Sequence, residues 1–125
     1  MKVVKIVVLV LVALACLVPG FMKLMTPYAD MIVEPAMAWA NDYSANQVKG
    51  IGVLEILGVL GMVLPLLLKK YHKLVPISAL ALAALMVGAI ITHIGRDEPV
   101  YMNIATLVLT LLTFWWHKDW LKKQA

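Results

Sequence analysis

Glu55 is the residue of this chain most suited to chemistry, because it lies within a long apolar stretch, residues 48–68. An ionisable side chain at membrane depth costs about 2.5 to 3.5 kcal/mol on insertion scales, so such residues usually face inward, are paired and serve a function. Lys23 ends the preceding apolar stretch and has a flexible stem that can reach toward Glu55. We therefore predict an ion pair between Lys23 and Glu55.

Three further polar residues extend this cluster. His93 ends the third apolar stretch and is expected to hydrogen-bond to Lys23 or Glu55. Asn103 and Thr106 begin a polar stripe that continues through Thr110, Thr113 and His117 in steps of three and four, which keeps one helical face. Two interpretations stand: these residues hold the polar head of a small lipophilic molecule, or they only tie helices together.

Motifs of established enzyme classes are missing from the sequence. It contains no nucleophile elbow, no phosphate loop and no zinc-binding HExxH, and the single cysteine, Cys16, excludes an intramolecular CxxC redox pair. A metal site built from Glu55, His93 and Asn103 falls short of the usual number of ligands. We therefore predict no metal site and no catalytic activity for the chain on its own.

The composition indicates an integral membrane protein. Of the 125 residues, 63% are hydrophobic, and the mean hydropathy is +0.92. Four segments, residues 3–24, 48–68, 74–94 and 100–117, approach or exceed the roughly 20 helical residues that cross a bilayer. These segments predict a single all-α domain over residues 1–125, a polytopic membrane four-helix bundle that contacts the lipid bilayer.

Small residues within these segments predict close helix contacts. Gly52 and Gly58 flank Glu55 at three residues on either side, and Gly20 precedes Lys23 by three. Ala84 and Gly88 lie four residues apart in the third segment, a spacing suited to tight packing in membranes. This seam could equally receive another protein's helix or a second copy of the chain.

The loop charges predict the orientation. Basic residues precede the first segment, join the second to the third, and follow the fourth, including Lys69, Lys70 and Lys123, whereas the acids concentrate in the other two connections. By the positive-inside rule both termini are cytoplasmic, and the basic pI reflects orientation rather than nucleic-acid binding. The connection between the first two segments is then extracytoplasmic. It is predicted to form one or two short amphipathic helices, broken near Pro35. These helices would serve either as a structural cap or as a mobile lid.

Three short motifs, in this order, resemble the DoxX-like four-helix membrane proteins. They are Gly20-Phe-Met-Lys23-Leu24, Gly52-Val-Leu-Glu55-Ile-Leu-Gly58 followed by Pro65, and Ala89-Ile-Ile-Thr-His93. The resemblance implies one four-helix membrane domain, with some relatives associated with quinone-linked thiosulfate oxidation or membrane oxidoreductase complexes. The chain is also similar to eukaryotic relatives that assist the assembly of nicotinic acetylcholine receptors.

These observations support three hypotheses about function. The first is a non-catalytic membrane protein, expected in a bacterial inner membrane, that binds a quinone or lipid near the outer leaflet or serves as an accessory subunit. The second is an assembly factor that acts by helix packing with a membrane-protein partner or as a homodimer. The third is the membrane subunit of a quinone-linked oxidoreductase.

Overall fold

The chain folds into helices. The computed structural model describes residues 2–122, and no strand occurs in that range. The α-helices are α1 (Lys2–Met25), α2 (Tyr28–Met31), α3 (Ala45–Leu68), α4 (Leu74–Gly95) and α5 (Tyr101–His117), with 3₁₀ segments at Pro35–Asp42 and Lys118–Lys122. The predicted all-α class is confirmed. Met1 of the predicted domain and Lys123, used to predict the orientation, lie outside the described residues.

Helices α1, α3 and α4 are each long and apolar enough to cross a membrane, whereas α5 is shorter, with 17 residues. The bounds of all four differ from the predicted segments by three residues at most. The largest difference, at the start of α3, has a local cause. Ser44 Oγ accepts from Gln47 N at 3.1 Å and Ser44 N donates to Gln47 Oε1 at 2.9 Å, a capping box that begins the helix at Ala45.

The four long helices pack around a shared core. Helix α1 contacts α3 and α5, and α4 contacts α3 and α5. The side chains of Val12, Met62 and Leu82 are completely buried at the centre. Because neighbouring helices run in opposite directions, the end of α1 and the start of α5 lie at one end of the molecule, here called the upper end.

The connection between α1 and α3 folds back on itself at the upper end. It comprises α2 and the 3₁₀ segment that begins at Pro35, as expected from the sequence. Its own small core contains Met31 and Ala40. The Tyr28 hydroxyl lies 2.6 Å from the carbonyl oxygen of Tyr43 and 3.2 Å from that of Ala40. These contacts make residues 28–43 a compact cover, which we call the cap.

Candidate functional site

The ion pair between Lys23 and Glu55 joins α1 to α3. Lys23 Nζ lies 2.5 Å from Glu55 Oε1, and only 2% of the Glu55 surface is exposed. The two helices can approach because Gly20 and Gly52 face each other: a Cβ added to Gly52 would lie 2.8 Å from the Gly20 carbonyl oxygen. The pair therefore lies where the predicted packing glycines bring the two backbones together.

A cavity of about 590 Å³ lies beside this ion pair in the upper half of the molecule. Its wall includes all five residues of the predicted polar cluster: Lys23, Glu55, His93, Asn103 and Thr106. These residues come from α1, α3, α4 and α5. The rest of the wall is mainly aliphatic side chains and methionines, so the polar groups form a small part of an apolar cavity.

His93 lies at the cavity wall but has a different partner from the one predicted. Its Nδ1 is 2.8 Å from Glu98 Oε1, in the turn that follows α4. Glu98 also lies 3.5 Å from Arg96 Nε, and Arg96 Nη1 is 3.0 Å from Asp42 Oδ1 in the cap. The expected bond from His93 to Lys23 or Glu55 is thus replaced by a second polar network, because the turn brings Glu98 back over the end of α4.

The polar stripe of α5 faces inward. Thr106, Thr110 and Thr113 are buried, and each hydroxyl donates to a carbonyl oxygen of its own helix, over 2.8 to 3.0 Å. Asn103 is half-buried, and its amide makes no hydrogen bond with any residue in the described range. Of the α5 residues at the cavity, Asn103 therefore keeps its hydrogen-bonding capacity for another molecule.

Two aromatic residues of the cap, Trp39 and Tyr43, also line the cavity. In the structure Lys23 Nζ lies 5.3 Å from the Trp39 ring centroid, and the Trp39 and His93 rings meet edge to face at 6.4 Å. The Tyr43 hydroxyl is 2.5 Å from Thr92 Oγ1. The cap thus closes the upper end of the cavity, and no spacing rule in the sequence pointed to these contacts.

The predicted packing residues fall into two groups. Gly20, Gly52 and Gly58 lie at close contacts, with a Cβ on Gly58 falling 2.6 Å from Leu82 Cδ2. Ala84 and Gly88 instead line the cavity, and a Cβ on Gly88 would meet no described atom within 4 Å. Within this chain the Ala84 and Gly88 seam is therefore not a tight helix contact, because the helices separate there around the cavity.

The cavity is partly open, and the exposed wall residues indicate where. Helices α1 and α5 meet at the lower end, where Lys5 Nζ lies 5.8 Å from the Trp116 ring centroid. In the upper half, Met22 of α1 and Met102 of α5 line the cavity yet expose 46% and 70% of their surface. These two residues place an open side of the cavity between the upper halves of α1 and α5.

No group of three or more His, Cys, Asp or Glu side chains within residues 2–122 is arranged to hold a metal ion. Comparison with curated proteins and with solved structures gives no significant match. A family model does match: the model for the DoxX-like family aligns with residues 7–115, which include all four long helices in whole or in large part. The protein therefore belongs to the DoxX-like family.

Proposed function

We propose that this protein binds a small lipophilic molecule, a quinone or a lipid, in the cavity and carries out no chemistry of its own. One observation carries the proposal: polar side chains from four separate helices meet at a single, mainly apolar cavity. Its volume of about 590 Å³ falls within the range of roughly 300 to 1,000 Å³ that is typical of small-molecule sites.

The distribution of the wall residues suits an amphiphile. Lys23, His93 and Asn103 lie near the upper end, where they would contact a polar head. The rest of the wall is mainly apolar, with Leu14 and Val18 further down α1, and it includes four methionines, in the cap and on three helices: Met22, Met37, Met86 and Met102. Methionine side chains are unbranched and polarisable, so they adapt to apolar partners of varied shape. A ligand would therefore place its head under the cap and its tail along α1 and α5.

The membrane arrangement is part of the same proposal. Helix α5 would be the fourth span of a four-helix bundle, since about 25 Å of helix nearly covers the hydrocarbon core. Both termini would be cytoplasmic, which places the cap on the extracytoplasmic side of a bacterial inner membrane. The opening between α1 and α5 would then face the outer leaflet, so that a ligand enters sideways from the lipid.

Native mass spectrometry of the protein released from mild detergent tests the proposal. Wild type should carry a discrete small-molecule adduct. The Gly88→Leu variant should lose it, because the new side chain would project into open space at the cavity. Gly50→Leu is the matched control, since Gly50 is equally open but lies outside the cavity wall. Equal adducts in all three proteins would contradict the proposal.

A second candidate function, helix-packing assembly with a partner or a second copy, is favoured by a shallow groove between α3 and α4. Its wall includes the small, exposed residues Ala81 and Ala84, which would let another membrane helix approach closely. The Ala81→Leu variant should then lose a partner that wild type retains on gentle purification. An unchanged complex would exclude this use of the groove.

The third candidate, a membrane subunit of a quinone-linked oxidoreductase, would use the same cavity. Another chain would then supply the redox group, and this chain would hold the quinone. Co-purification of a flavin- or thiol-containing protein that is lost with Gly88→Leu would favour this function over simple ligand binding.

A further inference from the structure

The ionisable groups at the cavity wall already have partners. Lys23 lies against Glu55, and His93 contacts Glu98, which is itself close to Arg96. The wall therefore presents no free cation that would hold an anionic head group, and no free carboxylate that would hold a cationic one, among the described residues.

A charged ligand would either draw Lys23 and Glu55 apart or add an uncompensated charge beside their ion pair. An anionic head that drew Lys23 away would leave the Glu55 carboxylate, 2% exposed, without its counter-charge. A cationic head on Glu55 would do the same to Lys23, whose side chain is 11% exposed. Leaving one member of a buried pair uncompensated is strongly unfavourable. The buried ion pair thus disfavours both anionic and cationic ligands.

The side chain of Asn103 can form hydrogen bonds with a neutral head group. Its amide has two N–H donors and one carbonyl acceptor, it lines the cavity, and it makes no hydrogen bond with the described residues. The neighbouring Thr106 hydroxyl already donates to the Met102 carbonyl oxygen at 3.0 Å. Asn103 can therefore both donate to a carbonyl and accept from a hydroxyl.

We infer that the ligand of this cavity is an uncharged amphiphile with a hydroxyl or carbonyl head group, which hydrogen-bonds to the Asn103 amide beside the intact Lys23 and Glu55 pair. This inference rests on the proposed ligand-binding function and narrows it to one chemical class. Ionised fatty acids and anionic phospholipids are excluded from the class.

Photolabelling of the full chain in lipid nanodiscs tests the inference. Two probes of equal chain length carry a diazirine at the same carbon; one ends in an alcohol and the other in a sulfonate, which stays ionised. Labelled residues are mapped by mass spectrometry of peptides. The alcohol should label cavity residues of α1, α4 and α5 at least about tenfold more than the sulfonate. Both probes should label Val53 and Leu60 alike, since these residues are exposed on α3 and lie outside the cavity and the groove.

The outcomes separate this inference from the proposed function. Cavity labelling by the sulfonate that equals or exceeds that by the alcohol would overturn the inference while leaving a ligand-binding cavity. If neither probe labels the cavity above the level at Val53, both the inference and the proposed function are overturned. The Asn103→Leu variant should lose about tenfold in alcohol labelling, whereas Ile104→Leu, outside the wall on the same helix, should not. Unchanged labelling in Asn103→Leu would remove Asn103 as the anchor.

Discussion

The stem of Lys23 crosses over Gly52 to reach Glu55 one turn further along α3. A Cβ added to Gly52 would lie 3.0 Å from Lys23 Cβ, and a Cβ added to Gly20 would lie 3.4 Å from Glu55 Cβ. Each charged residue follows its own contact glycine by three positions and packs against the glycine of the other helix. The close approach of α1 and α3 and the burial of the ion pair are therefore one feature.

Gly52→Ala should destabilise the protein by about 1 to 3 kcal/mol, the usual cost of overpacking a tight contact. Its methyl group would press on both the Gly20 backbone and the Lys23 stem. Gly50→Ala is the matched control on the same helix, with no described atom within 4 Å of its new methyl group. We would measure the free energy of unfolding by SDS titration; equal values for both variants would mean that α1 and α3 can separate freely.

Removing one charge of the buried pair should cost more than removing both. Glu55→Gln and Lys23→Met should each destabilise the protein by up to about 3 to 5 kcal/mol, because the remaining group has no counter-charge. The double variant should recover part of that loss. The exposed pair of Arg96 and Asp42 provides a control, with Asp42→Asn expected to cost less than about 1 kcal/mol. Additive losses in the double variant would argue against direct coupling.

The hydrogen bond between Tyr43 and Thr92 should hold the cap closed. Thr92 Oγ1 donates to the Gly88 carbonyl oxygen, so the Tyr43 hydroxyl donates to Thr92. Loss of a bond worth about 0.5 to 1.5 kcal/mol in Tyr43→Phe should raise amide exchange in residues 28–42 by roughly two- to tenfold, as local opening becomes easier. Hydrogen–deuterium exchange measures the amide exchange rates, and Tyr71→Phe, in the loop between α3 and α4, is the control. Unchanged cap exchange would show that other contacts close it.

Cysteine accessibility should determine the orientation and the number of spans. In a Cys16→Ser background, Asn46→Cys and Asp97→Cys should react with an impermeant maleimide in intact cells, whereas Lys70→Cys and Asp119→Cys should react only after lysis. The reverse pattern would invert the predicted orientation. Reaction of the Asp97 and Asp119 variants from the same side would show that α5 does not cross the membrane.

The sequence by itself determined the helical class and the approximate bounds of the long helices. Apolar length and helical spacing are local properties, and a backbone in lipid must satisfy its own hydrogen bonds, which leaves a helix as the stable form of each segment. The ion pair between Lys23 and Glu55 could also be predicted from the sequence. An isolated charge at membrane depth needs a partner, and only a few residues of opposite charge were near enough.

Only the tertiary structure decided what covers each helix face. The pairing of His93 with Glu98, the position of Trp39 and Tyr43 over the cavity, and the open space at Gly88 depend on how the helices rotate and how the cap folds back. These arrangements follow from many small contacts between residues distant in the chain, so the spacing within one segment cannot reveal them. A small residue such as Gly88 fits a tight helix contact and a cavity wall equally well until its neighbours are placed.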